Sequence, residues 1–419
     1  MEPALIMRNP KVRAEYSFRR SDQLWQHAKT LIPGGSQGTR CPLYPEFPNY
    51  FNRAKGCRMW DVDGNEFIDL LCSIGPIILG YAYDRVDDAA CNIIRTSFQS
   101  SGNHPVQLEL AELLIQTIPC AERVRFFKTG TEATMAAVRA ARNHTGRNLV
   151  AHCGYHGWTD IWRAHGGPGV DPAASQSIKT FNGTAQSLVE VLRSTPEKFA
   201  AVILCPVDTR PFTSENFQAI VDTAHEHGAV VIFDEIKSGF RTALGGAQEY
   251  LQVTPDLTTL SKGMGNGYPI SAVLGNATVM DSIDATASVG TFSVEALAIT
   301  AALETIRELK EVNAVDHLWR MGQRMIDGLN QICRDHRMHE PIAYPDPVPS
   351  IFRFSWEPKK GNFCQHPAQQ FFYSQCVKYG LFFGPWHVSF SCYAHTERDI
   401  EEALDICDIA MARTRKNFA

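Results

Sequence analysis

Between about residues 105 and 310, short apolar runs alternate with longer amphipathic stretches, and this alternation limits the fold more than any other feature. The apolar runs are Val124–Phe127, Leu149–His152, Ala201–Cys205, Val230–Phe233, Leu257–Leu260 and Ile270–Leu274. Each has strand length, and helical patterns at Glu132–Asn143, Glu215–Glu226 and Ser293–Leu309 fill several of the gaps. Helices between successive strands imply right-handed crossovers. The alternation therefore predicts an α/β fold with a mostly parallel sheet covered on both faces.

The flanking regions read differently. Residues 21–32 have the pattern of an amphipathic helix that stops at Pro33-Gly34-Gly35. Cys57–Trp60 and Glu66–Leu70 flank Asp61-Val62-Asp63-Gly64-Asn65, which predicts a hairpin with an Asp-Gly-type turn. A calcium reading of those acids lacks the rest of an EF-hand loop. Near the C-terminus, strands at Ile351–Trp356, Leu381–Phe383 and Val388–Ser391 alternate with helices at 366–379 and 396–414. The expected organisation is an N-terminal segment (1–75) that joins a C-terminal α+β domain (315–419), with a large domain (76–314) between them.

Charge and cysteine usage narrow the function classes. A net charge of −5, with no long basic run, gives no sign of a nucleic-acid or membrane partner. The longest apolar stretch, around Ile74–Leu79, is far short of the ~20 residues that a spanning helix needs. Residues 1–20 carry Glu2, Arg8, Lys11, Arg13 and Glu15 and lack the apolar core of a signal peptide. The 12 cysteines form no CxxC pair and sit in apolar stretches, so they read as reduced thiols of a cytoplasmic enzyme.

Three strand ends carry candidate chemistry. In Phe126-Phe127-Lys128-Thr129-Gly130-Thr131-Glu132-Ala133, a strand passes through a small-residue turn into an alanine-rich helix. The free N–H groups at that helix start suit an anion, and an ordinary N-cap explains the same residues. Val230–Phe233 ends in Asp234 and Glu235, at the strand edge where α/β proteins gather ligands. A carboxylate there can keep a pyridine nitrogen protonated, or can simply cap the next turn. Alternation sends Glu235 to the other side. The third is Leu257–Ser261, which runs into Lys262 and then Gly263, Gly265 and Gly267. A lysine leaving a buried strand is costly unless paired or used covalently, and a Schiff-base lysine fits; a surface lysine at a loop start is the plain alternative.

Taken together, these blocks resemble the class III aminotransferases of the fold-type I pyridoxal-phosphate enzymes, and most nearly the glutamate-1-semialdehyde aminomutase-like proteins. The resemblance runs from Pro33-Gly34-Gly35 to Ala394-His395-Thr396-Glu397. It includes Trp60–Gly64, Thr129–Ala133, Gly154-Tyr155-His156-Gly157, Asp234-Glu235, Ser238–Arg241, Ser261–Gly263 and Gly290-Thr291. It implies a seven-stranded-type sheet and pyridoxal 5′-phosphate as cofactor. Lys262 would form the Schiff base and shuttle the proton, and Asp234 would pair with the pyridine nitrogen. Ile236 and Tyr155 would cover the two ring faces, with His156 beside Tyr155. Gly130 and Thr131 would bind the phosphate, joined by Thr291 of a second subunit, which implies a homodimer with shared active sites. Arg241 would be structural.

Three departures bear on the substrate. Cys205-Pro206 stands where many relatives have Glu-Pro. His387 stands where the aminomutase has a carboxylate before the Ala-His-Thr block. Phe292-Ser293-Val294-Glu295 replaces a small-Gly-Asn-Pro form. These favour a transaminase that takes an amino donor and a keto or aldehyde acceptor. An intramolecular aminomutase, an epimerase using the same cofactor and a catalytically silent family member are the alternatives. No GxGxxG follows a first strand, against a dinucleotide enzyme. Arg40 is a candidate carboxylate clamp or a surface arginine. Trp158, Trp162 and Trp386 are entrance-lining candidates, with core packing as the simpler role.

Overall fold

The computed structural model describes residues 15–37, 47–96, 99–163, 166–194, 198–359 and 366–418. Arg40 and most of the N-terminal stretch lie outside the described residues. The chain divides into two compact units, Met1–Tyr83 with Asp316–Ala419, and Asp84–Val315.

The first unit is built on two small sheets. Strands β1 (Phe51–Lys55), β2 (Arg58–Asp61) and β3 (Glu66–Asp69) form an antiparallel meander. The turn between β2 and β3 is held by Asp61 Oδ1, which accepts the Asp63 and Asn65 N–H groups at 3.0 and 2.8 Å. The Asp63 carboxylate accepts the Arg20 and Ser21 N–H groups at 2.8 and 2.9 Å, so both acids serve the chain's own backbone. The N-terminal helix spans Arg19–Ala28 and ends earlier than its pattern suggests, because Ile32, just before Pro33, takes an extended conformation.

The second unit holds β4 (Arg123–Phe127), β5 (Leu149–Cys153), β6 (Ile178–Thr180), β7 (Phe199–Leu204), β8 (Val230–Asp234), β9 (Leu257–Leu260) and β10 (Ser271–Gly275). They form one sheet in the order β4-β10-β9-β8-β7-β5-β6, in which only β10 pairs antiparallel, with β4 and β9. Alternation along β7 and β8 sorts the core. Ala201, Ile203, Val230 and Ile232 pack on the face covered by Ala133, Ala137, Ala140 and Ala141 of the helix Gly130–Thr145. Val202, Leu204, Val231 and Phe233 pack on the other face against Leu188, Phe217 and Ile220. The alanines let that helix lie close to the sheet. Asp234 shares the parity of Ile232, so it falls on the side of the Gly130 helix start.

The C-terminal part of the first unit adds β11 (Ile342–Pro345), β12 (Ile351–Ser355), β13 (Leu381–Phe382) and β14 (Ser389–Phe390). β13 joins β3 in parallel, while β11, β12 and β14 form a separate antiparallel sheet. The helices Pro367–Lys378 and Glu397–Phe418 cover a core that includes Met321, Leu329, Phe354, Phe372 and Phe383. Burying each such side chain contributes roughly 1.5–3 kcal/mol.

Candidate active site

Asp234, the last residue of β8, is buried and hydrogen-bonded through both oxygens within the second unit. Its Oδ2 accepts a hydrogen bond from His156 Nδ1 at 2.7 Å. Its Oδ1 accepts from Ile236 N and Thr259 Oγ1, both at 3.2 Å. His156 is buried and packs edge-on against Trp162, with ring centroids 5.0 Å apart, and its Nε2 has no hydrogen-bond partner among the described residues. Glu235 turns to the opposite face. There it accepts Ala247 N at 2.5 Å, Ser238 Oγ at 3.0 Å and Gln248 Nε2 at 3.0 Å. Its acid is consumed structurally.

The turn after β4 contains both features that its sequence allows. Thr129 Oγ1 accepts Glu132 N at 3.3 Å, and Glu132 Oε2 accepts Thr129 N at 2.7 Å, which is a capping box. This cap leaves the N–H groups of Gly130 and Thr131 uncommitted among the described residues, at the positive end of a 16-residue helix. Two close approaches shape the cradle. A Cβ on Gly130 would stand 2.6 Å from Ile236 Cδ1, and one on Gly157, whose φ is +128°, would stand 2.5 Å from Thr131 Oγ1. Thr134 Oγ1 donates to His156 O at 2.8 Å, tying the helix to the Tyr155–Gly157 loop.

Lys262 follows β9 with φ of +39°, a left-handed conformation that a residue with a side chain adopts at a cost. Burial, and then the neighbouring Lys237 ammonium, push its amine down to about 8 from an ordinary lysine value. Lys237 Nζ is bound to Asp208 Oδ1 at 2.5 Å. Burial raises the Asp208 carboxyl, but Lys237 overrides this and holds it below its usual range. Burial pushes the Cys205 thiol well up, so position 205 contributes no charge.

The remaining candidates fall in several places. Tyr155 is 70% exposed and Trp158 76% exposed, whereas Trp162 belongs to the core beside His156. Trp386 packs on Phe47, with centroids 5.8 Å apart, in the first unit. His387 is in that unit too, with Nδ1 3.0 Å from Val388 O. Arg241 is buried. Thr291 is exposed, and its carbonyl lies 3.5 Å from Gln99 Nε2. Sequence reasoning missed three groups: the His156 contact to Asp234, Lys237, and Glu295. Glu295 caps the helix Ala296–Glu311 through Leu297 N at 2.6 Å and pairs with Lys128 at 2.5 Å. Segment 292–295 thus supplies the cap of that helix through Glu295.

The family model described as aminotransferase class-III matches residues 43–342. The chain belongs to the class III aminotransferases. It is 33% identical to 3-aminobutyryl-CoA aminotransferase of Cloacimonas acidaminovorans (strain Evry), over 95% of this chain and 98% of the relative. It is 32% identical to glutamate-1-semialdehyde 2,1-aminomutase of Methylacidiphilum infernorum (isolate V4), over 94% and 97%. Among solved structures it resembles the PLP internal aldimine form of the FumI protein of Sphingopyxis sp. MTA144. That match has a TM-score of 0.89 and 29% identity, over 96% of this chain and 97% of that one. The fold is fold-type I, and the protein is an aminotransferase dependent on pyridoxal 5′-phosphate. The residues present fit that cofactor: a buried carboxylate ends β8, a lysine of lowered basicity follows the neighbouring β9, and uncommitted N–H groups stand at the helix start after β4 in the same sheet.

Proposed function

We propose that this class III aminotransferase moves an amino group from a donor to a separate keto or aldehyde acceptor, with Lys262 binding the cofactor covalently as a Schiff-base lysine. The observation that carries the reading is the placement of Lys262 and Asp234 on neighbouring parallel strand ends, with the Lys262 amine easily deprotonated. When bound, pyridoxal phosphate supplies an electron sink for cleavage at the donor's Cα. Lys262 Nζ would carry the proton released from the donor's Cα. Asp234, oriented by His156, Thr259 and the Ile236 N–H, would hold the pyridine nitrogen protonated. Gly130 and Thr131 would hold the phosphate through their N–H groups. Ile236 and Tyr155 would cover the ring.

The reading extends to a homodimer in which the partner subunit's Thr291 joins the phosphate site. Its exposure in a single chain suits that role. A cytoplasmic setting suits the free thiols of the described cysteines. Among the described residues no helix is long and apolar enough to cross a membrane. Arg40 and His387 are proposed to contact the substrate.

The test is hydride reduction of the loaded protein followed by peptide mapping, with the label expected on Lys262. Label on any other lysine would overturn the assignment. The aminomutase relatives favour a second reading, transfer within one molecule. Nitrogen-15 passing from a labelled donor, with 3-aminobutyryl-CoA among the first tried, to a separate acceptor rejects that alternative.

A further inference from the structure

The turn after β4, which leaves the Gly130 and Thr131 N–H groups uncommitted, also carries a second segment. Residues 290–295 fold as two successive turns, closed by Ser293 N to Gly290 O at 3.0 Å and Glu295 N to Phe292 O at 3.2 Å. Both ends of this segment rest on the turn after β4. At one end the Glu295 carboxylate meets Lys128 Nζ at 2.5 Å, and both side chains are largely shielded from solvent. At the other, a Cβ on Gly290 would stand 3.7 Å from Oε1 of Glu132, the carboxylate that closes the capping box. Gln107 Nε2 donates to Val294 O at 3.0 Å and adds a third tie. Thr291, between these anchors, is exposed, and Val289 and Phe292 beside it are 72% and 63% exposed.

We infer that Lys128 and Glu295 are positioning residues acting between subunits: their ion pair braces the segment that presents Thr291 to the phosphate held by the partner subunit. This rests on the shared-site dimer proposed above. A hydroxyl that must reach a neighbour's phosphate is useful only if it arrives in one place, which requires support from groups that are themselves fixed. Val289 and Phe292 give the tip an apolar surface of the kind that a second copy of the chain covers.

Lys128 precedes Gly130 by two residues, so the plain alternative is that its ammonium holds the phosphate of its own subunit. The structure commits that charge elsewhere. Glu295 Oε1 is the atom 2.5 Å from Lys128 Nζ, and Glu295 Oε2 accepts Leu297 N at 2.6 Å. The carboxylate is thus fixed by the start of the helix Ala296–Glu311 while it holds the lysine. An exposed ion pair between two flexible side chains contributes little, but a shielded pair with one partner locked as a helix cap makes a stiff joint.

The test uses mixed dimers of the full chain in which one subunit carries Lys262→Ala, so that hydride-reduced cofactor counts only the intact subunit's site. Lys128→Met is placed either in the Lys262→Ala subunit, whose Thr291 serves the counted site, or in the intact one. Cofactor loss during dialysis should be about 10-fold faster in the first arrangement, the scale of one weakened hydrogen bond to a charged group. In the second arrangement it should stay near that of the mixed dimer without Lys128→Met. Lys128→Arg should restore retention. Glu295→Gln repeats the measurement should the methionine variant fail to fold, with the same loss expected across the subunits. It also frees the ammonium, which would slow loss from its own site if Lys128 were a phosphate ligand. Loss confined to the second arrangement, equal loss in both (the mark of general destabilisation) or loss in neither overturns the inference. A chain that sediments as a monomer, or unchanged retention with Thr291→Val in the Lys262→Ala subunit, overturns the shared-site reading instead.

Discussion

His156 donates from Nδ1 to Asp234 Oδ2 across 2.7 Å, in a pocket where both residues are almost sealed from solvent. The contact fixes the carboxylate's orientation from the side opposite Thr259 Oγ1 and Ile236 N, which hold Oδ1. A carboxylate so held has one preferred direction for its remaining lone pairs. Removing the imidazole leaves a buried anion short of one donor, a loss of about 1.5–3 kcal/mol for a charge-assisted bond.

His156→Ala should therefore weaken cofactor retention by about 10- to 100-fold on that scale. His156→Asn, whose amide can donate to the same oxygen, should recover part of the loss. Equilibrium dialysis of pyridoxal phosphate checks both. Equal retention in all three proteins would remove His156 from the cofactor-holding set.

Gly157 is a second point of sensitivity. An alanine there adds a Cβ 2.5 Å from Thr131 Oγ1 and forces a side chain into φ of +128°. Strain of this kind costs of order 1–3 kcal/mol. Gly157→Ala should lower the melting temperature and weaken phosphate binding together. Gly130→Ala meets the flexible end of Ile236 at 2.6 Å and its Cγ atoms at 3.3 Å, so the double variant with Ile236→Val should relieve the closest contact. Melting curves and cofactor affinity for the three variants test the contrast, which fails if the valine brings no recovery.

How much of this was legible in sequence depended on the range of the interaction. The six strands recognised by apolar runs all lie within the seven-stranded sheet, and all but the edge strand β4 are buried on both faces. β6 escaped notice because only Ile178 of its three residues is buried, and a short edge strand leaves little pattern. The helix placed from Ser293 begins at Ala296, since Glu295 acts as its cap. His156 and Asp234 are 78 positions apart, and nothing local in either segment reports their contact. Lys237 drew no reading from the sequence, because its partner Asp208 lies 29 positions away in the turn after another strand.

The pair Lys128–Glu295 joins the turn before one helix to the cap of another. Glu295→Asn keeps a capping side chain and removes the charge, whereas Glu295→Ala removes both. The alanine variant should lose about 1 kcal/mol more than the asparagine one, the usual worth of a cap. Denaturant unfolding compares them. Equal losses would mean that the cap is idle and the ion pair carries the whole effect.

Lys262 gives the protein a pH dependence whose sign follows from its direction of shift. The amine titrates at about 8 when folded and 10.5 when exposed. Below pH 8 it is charged in both states, so the folded chain carries the full penalty of a buried cation. Between pH 8 and 10.5 the unfolded chain holds more protons than the folded one, and stability rises with pH. The penalty at neutral pH is of the order of 3 kcal/mol at 1.36 kcal/mol per unit. In the cofactor-free chain, Lys262→Met should therefore raise the melting temperature at pH 7. That advantage should shrink steadily as the pH passes from 8 toward 10.5, because the wild-type protein sheds the charge on its own. Melting curves of both proteins across this range decide the matter. A difference that stays constant with pH would show that the methionine acts through packing alone, and that the lysine at the end of β9 is not held in an environment hostile to its charge.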